Sequence, residues 1–136
     1  MPIVIKMGQC FFCQGIQTVS ATNPLLQPYD LPPFSAIRAE HVLPAIEQIL
    51  ADNRSAIASI LETQGQNPTW AGLVLAMDEL NDRLGAAWSP VSHLNAVCNS
   101  AELREAYEGC LPALSAYSTE MGQNRELFQA FEALAN

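Results

Sequence analysis

The sequence is poor in positive charge and in imidazole. Six Lys and Arg face fourteen Asp and Glu, and only two histidines occur in 136 residues. The formal net charge of -8 is the opposite of what a phosphate-backbone binder needs to displace counterions, so nucleic acid is not expected as a partner. His41 and His93 lie in no H-E-x-x-H, the spacing that points two ligands at one zinc from a single helix, and no internal metal site can be written. A Ser nucleophile elbow (G-x-S-x-G) and the Gly-rich phosphate loops are missing too, which leaves acyl and phosphoryl transfer without visible machinery. No apolar run reaches the roughly 18 residues that cross a bilayer, so no membrane span is expected and the cytoplasm is the expected location. Catalytic, cofactor-binding and metal-ligating residues are therefore all expected to be absent from this stretch.

The four cysteines point the same way. Cys10 and Cys13 form one C-x-x-C, but Cys98 and Cys110 stand alone, so the paired doublets of a zinc ribbon are not present. The residues flanking Cys10 and Cys13 offer no strand-to-helix context for a redox motif. Cys98 and Cys110 fall at apolar positions of predicted helices and are expected to be small buried hydrophobes.

What is present is a composition fit for a core. Apolar residues make up 49% and charged residues 15%, within the range of a globular chain of one compact domain. Residues 1–35 carry only Lys6 and Asp30, so the charge deficit lies beyond them, where five Arg meet thirteen Asp and Glu. Residues 1–21 imitate a secretory signal poorly, because Gly8, Gln9, Gln14 and Gly15 interrupt the apolar segment. They are expected to be a poorly ordered N-terminal extension. Residues 22–38 form an extended Pro-rich strap, since four of the nine prolines fall in it and fix φ while removing backbone donors. Leu25, Leu26, Tyr29, Leu31 and Phe34 give this strap an apolar side to lay on a helical body.

Residues 39–136 read as that body. Val42, Ile46, Ile49, Leu50, Ile57, Ile60 and Leu61 line one helix face, with Pro44 near its start and Gly65 to Pro68 ending it. Thr69 caps a second helix whose stripe runs from Trp70 through Leu73, Met77, Leu80, Leu84, Trp88, Val91 and Leu94 to Cys98. Pro90 bends that helix without changing its face. Asn99-Ser100 opens a third, with Glu102 and Glu105 favoured by the macrodipole; its stripe is Leu103, Tyr107, Cys110, Leu111, Leu114, Tyr117 and Met121, and Gly122 is expected as its C-cap. Asn124 caps a fourth helix carrying Leu127, Phe128, Phe131 and Leu134, which meets no stop signal before Asn136. The fold class is all-α: antiparallel helical hairpins or a bundle, with the stripes closing a common core.

The polar residues near the helices have ordinary explanations. Glu40-His41 sits at a helix start, as a capping or surface pair. His93 borders the second stripe, as a hydrogen-bonded structural histidine or a contact to another domain. Asp78, Glu79 and Asp82 lie on a polar helix side, as a solvated face.

Four strings carry a resemblance: TNPLLQPYDLPPFSAIRAEHVLPAI at 22–46, TWAGL at 69–73, WSPVSHLNAVCNSAELREAYEGCLPALSAYS at 88–118 and GQNRELFQAFEAL at 122–134. The most specific part is Ser89 to Asn95, followed by Asn99-Ser100 and Leu103 to Tyr107. Together they resemble the N-terminal region of bacterial members of the thimet-oligopeptidase family of zinc metallopeptidases. The resemblance implies a longer, mostly helical protein whose two lobes flank a deep channel and which cleaves short peptides. It also implies a zinc held by the two His of H-E-x-x-H and a Glu on a later helix, the motif Glu acting as general base. None of those residues can be carried onto this chain. Residues 1–21 lie upstream of where such chains usually begin, and the sequence stops before the catalytic region. The expectation is an inactive N-terminal fragment forming part of the channel wall, with the missing catalytic domain as its partner. The alternative is a stand-alone helical protein-interaction module.

Overall fold

A computed structural model describes residues 23–136; the extension, with Cys10 and Cys13, lies outside them. Among the described residues there are four α-helices and no strand. They are α1 (Ala39–Gln64), α2 (Ala76–Val97), α3 (Ala101–Gly122) and α4 (Arg125–Ala135), with a 3-10 turn at Pro24–Leu26 and a π-helical segment at Trp70–Leu75 leading into α2.

Local chemistry sets the starts. Three caps accept from a backbone N–H three residues on: Thr69 Oγ1 from Gly72 at 3.0 Å, Ser100 Oγ from Leu103 at 3.1 Å, and Asn124 Oδ1 from Leu127 at 3.0 Å. Each satisfies one of the donors that a helix start leaves unpaired. Helix α2 runs through Pro90 unbroken, and α3 likewise runs through Pro112. Gly122 does not cap α3 as expected. It is the last helical residue, Gln123 follows with φ -103°, and no described glycine has positive φ. The left-handed turn that favours Gly at that position is therefore not used.

α1 is the spine. It packs most extensively on α3 and then on α2. Gln64 bonds Thr69, Asn53 bonds Leu80 and Asp52 bonds Arg83, so partners move forward in the chain as α1 is followed backward, and α1 and α2 are antiparallel. Along α3 the order is the same as in α1: Leu43 shares a cleft with Ala106, Asn53 meets Tyr117 and Leu61 shares a cleft with Met121. α2 and α3, which also touch each other, are therefore joined antiparallel by the short Cys98–Ser100 link, as short connections require.

Val42, Ala45, Ile46, Ile49, Leu50 and Ile57 of α1 are buried against Ala87 and Val91 of α2 and Leu103, Cys110 and Tyr117 of α3. A second, smaller cluster holds Leu73, Leu127 and Ala130. Trp88 and Tyr107 stack with ring centroids 4.8 Å apart, tying α2 to α3.

The strap is partly fastened. Leu25 and Ile37 are buried, Asn23 Nδ2 donates to the His41 carbonyl at 2.8 Å, and the Tyr29 hydroxyl donates to the Ala86 carbonyl. Leu31 departs from expectation, being 82% exposed. In place of a wholly extended course, the strap makes a 3-10 turn and a second turn at 34–36, because X-Pro pairs favour turns as readily as extension.

Candidate functional site

The two histidines are far apart in role. His41 Nδ1 accepts from the Arg38 backbone N–H at 3.1 Å, while the His41 N–H donates to the Arg38 carbonyl at 3.0 Å, a reciprocal closure of the α1 start. His93 is exposed, and its ring lies 5.4 Å from that of Phe34 at a 51° tilt. The expected hydrogen bond to His93 is not found among the described residues, because the ring points out over the strap instead of inward.

The two described cysteines separate as well. Cys110 is fully buried between α1 and α3, and burial, with the Glu47 charge second, pushes its thiol up to about 11. Cys98 is exposed, against expectation. It follows the last residue of α2 with φ -126° and ψ 46°, so the chain has already left the helix whose stripe would have turned Cys98 inward. Asp78, Glu79 and Asp82 are not buried, in keeping with a solvated face. Among the described residues no group of three or more His, Cys, Asp and Glu could hold a metal ion. The described side chains therefore do not fit the zinc that the family resemblance implies.

What the fold does assemble is a polar belt across the helices. Three consecutive residues of α1 reach different neighbours. Asp52 accepts from Arg83 of α2 at 2.7 Å and from Gln48 at 2.7 Å; these bonds, Arg83 first, hold its carboxyl below the usual carboxylate range. Asn53, fully buried, donates to the Leu80 carbonyl at 3.3 Å and to the Tyr117 hydroxyl at 3.4 Å. Arg54 donates to Glu120 of α3 at 2.8 Å and lies 5.4 Å from the centre of the Tyr117 ring. The exposed ion pairs add little stability, but a polar layer crossing three helices penalises any slip in their register.

Two open clefts flank this belt. One, of about 440 Å³, has Ile57, Leu61 and Met121 as its floor and Glu62, Glu120 and Glu126 at its rim. The other, of about 480 Å³, lies between the first turns of α1 and of α3 around Leu43 and Pro44. Neither pairs a nucleophile with a base, so neither has the parts of a hydrolytic centre.

The apolar stripes were expected to be core throughout, and several members are not. Trp70 is 64% exposed and Phe128 66%, with Phe131 and Leu111 also on the surface; Leu75, which lies outside the stripes, is exposed too. Periodicity did not separate these from the buried Leu73, Leu127 and Ala130, because it reports which residues are apolar, not whether a partner element covers them. The available signal was crowding: α4 carries Leu127 and Phe128 side by side, too broad a stripe for one narrow seam.

The chain is similar to known proteins along most of its length. The profile of the neurolysin/thimet oligopeptidase N-terminal domain matches residues 46–136. Oligopeptidase A of Haemophilus influenzae is 52% identical over 118 residues, which are 87% of this chain and 17% of that protein. Oligopeptidase A of Escherichia coli is 51% identical over 113 residues, 83% of this chain and 16% of its own length. The probable cytosolic oligopeptidase A of Arabidopsis thaliana is 33% identical over 114 residues, 84% of this chain and 16% of that protein. The chain thus spans only 16–17% of the length of these relatives. With a profile match over residues 46–136, the chain belongs to the neurolysin/thimet oligopeptidase family, in its N-terminal domain.

Proposed function

We propose that residues 39–136 are the N-terminal helical domain of an oligopeptidase A-like zinc metalloendopeptidase that hydrolyses short peptides. In this reading the domain forms part of the channel wall, the catalytic domain of the same polypeptide is its partner, and the chain by itself supplies no catalytic or zinc-binding residue. The observation that carries it is the 52% identity to an oligopeptidase A over 87% of the chain. The absence of H-E-x-x-H from the sequence supports placing the chemistry elsewhere. No described helix is long and apolar enough to cross a membrane; the cytoplasm is proposed as the working compartment by analogy with the relative named as a probable cytosolic oligopeptidase A.

The role of this chain is mechanical. A wall must hold its shape while peptides pass, and the polar belt at 52–54 with the fully buried core of α1 provides a fixed helix register for that purpose. The test replaces the matching region of the Escherichia coli oligopeptidase A with this chain and measures zinc-dependent cleavage of a short quenched peptide. Turnover is expected from the chimera and none from the 136-residue chain. Zinc-dependent turnover by the chain alone would overturn the assignment of chemistry, and an inactive but folded chimera would overturn the assignment of the domain.

A further inference from the structure

One turn of this chain is held firmly while showing a tryptophan to solvent. Gln64 Oε1, at the end of α1, accepts from the Thr69 backbone N–H at 2.9 Å and from Thr69 Oγ1 at 3.0 Å, and Thr69 Oγ1 in turn accepts from Gly72 N–H at 3.0 Å. A Cβ at position 72 would meet the Gln64 amide at 2.4 Å and push it out of this arrangement. The π-helical segment fixed in this way buries Leu73 yet leaves Trp70 and Leu75 exposed.

α4 packs on that segment, and its single apolar stripe is wider than the cluster it covers. Leu127 and Ala130 face inward, while Phe128 and Phe131, three positions apart, remain exposed. The part of a wide apolar stripe that reaches past its own core is left to meet another element. Large aromatics held in place before any partner arrives are the usual anchors of an interface, because little side-chain and backbone freedom is left to lose on docking.

We propose that Trp70, Leu75, Phe128 and Phe131 form the face on which the rest of the longer oligopeptidase polypeptide docks. The inference rests on the oligopeptidase reading above, and length selects the occupant. The match covers 16–17% of the relatives, so most of such a protein is available to cover this face. A second copy of this chain is a poorer occupant, since two bodies of net charge -8 repel. Leu31, the other strongly exposed large apolar residue of the strap, has no comparable turn or helix behind it.

Hydroxyl-radical footprinting of the 136-residue chain and of the Escherichia coli chimera tests the face residue by residue. Modification of Trp70 and Phe128 is expected to fall at least about fivefold in the chimera, as at the dry core of an interface, while that of Leu31 is unchanged. Equal modification of Trp70 and Phe128 in the two proteins overturns the proposal. So does protection in the isolated chain that grows with concentration alongside a dimer in sedimentation, which would make a second copy the occupant. The variant Phe128→Asp gives an independent measure: it should leave the melting temperature of the isolated chain nearly unchanged and lower that of the chimera by several degrees, with Leu31→Asp changing neither. A chimera that does not fold also counts against the proposal, because the face would then not fit. A chimera that protects Trp70 but cleaves no peptide would leave the docking face standing and remove the functional reading.

Discussion

The thiol of Cys110 offers a direct measurement of how firmly α1 and α3 are closed. Its side chain is fully buried, and its pKa is pushed up to about 11 from 9.0, first by burial and then by the Glu47 charge. Only the thiolate reacts with a maleimide, so a rise from 9.0 to about 11 lowers the reactive fraction about 100-fold at neutral to mildly alkaline pH. Steric closure adds to this, since reagent must wait for the helices to part. At about pH 8 the native Cys110 is therefore expected to label at least about 100-fold more slowly than the same residue in the urea-unfolded chain. Peptide-resolved mass spectrometry separates it from Cys98, which is exposed and labels early. Replacing Glu47 with Gln should speed the native reaction by less than about tenfold, because the carboxylate is the smaller of the two causes. A native rate for Cys110 within about tenfold of the unfolded rate would refute the argument, since ionisation alone demands more.

The same thiol makes stability depend on alkaline pH. The folded state holds the Cys110 proton up to about 11 while the unfolded chain releases it near 9, so the unfolded form binds fewer protons in between and stability falls as pH rises through that window. The loss should reach about 2–3 kcal/mol at its upper end, read from urea melts, and Cys110→Ala should flatten the slope. Gly72→Ala should cost about 1 kcal/mol by pushing the Gln64 amide off Thr69. The cost should nearly vanish in a Gln64→Ala background, and additive effects in that double-mutant cycle would deny the contact. Ile46→Ala, at a fully buried position of α1, should cost about 2–5 kcal/mol in the same melts. A loss below about 1 kcal/mol would mean that the site collapses or that α1 is not the spine.

Only local roles of the polar side chains were legible in the sequence. His41 could be placed at a helix start from its neighbours, and it closes that start through Nδ1. His93 could not be placed, because its ring contact is with Phe34, a residue in a different segment. The expectation for Cys110 held and that for Cys98 failed, although both lay on apolar stripes. The first sits in mid-helix opposite α1, and the second follows the last turn of α2, where periodicity no longer describes the backbone.

Sequence alone determined where the helices begin and which residues line them. Capping by Thr69, Ser100 and Asn124 and the three-or-four spacing of apolar residues act within a few positions of the chain, so they need no knowledge of the fold. It also placed the family, through strings that fall on the strap, on α1, on the π-helical segment, on α2, on α3 and on α4. Only the tertiary structure decided that α1 is the spine, that Asp52, Asn53 and Arg54 each address a different neighbour, and that Trp70 and Phe128 are left uncovered beside Leu73 and Leu127. Burial depends on which surfaces meet across the chain, and two apolar residues one position apart on a helix face directions about 100° apart, so one is covered while the other waits for a partner.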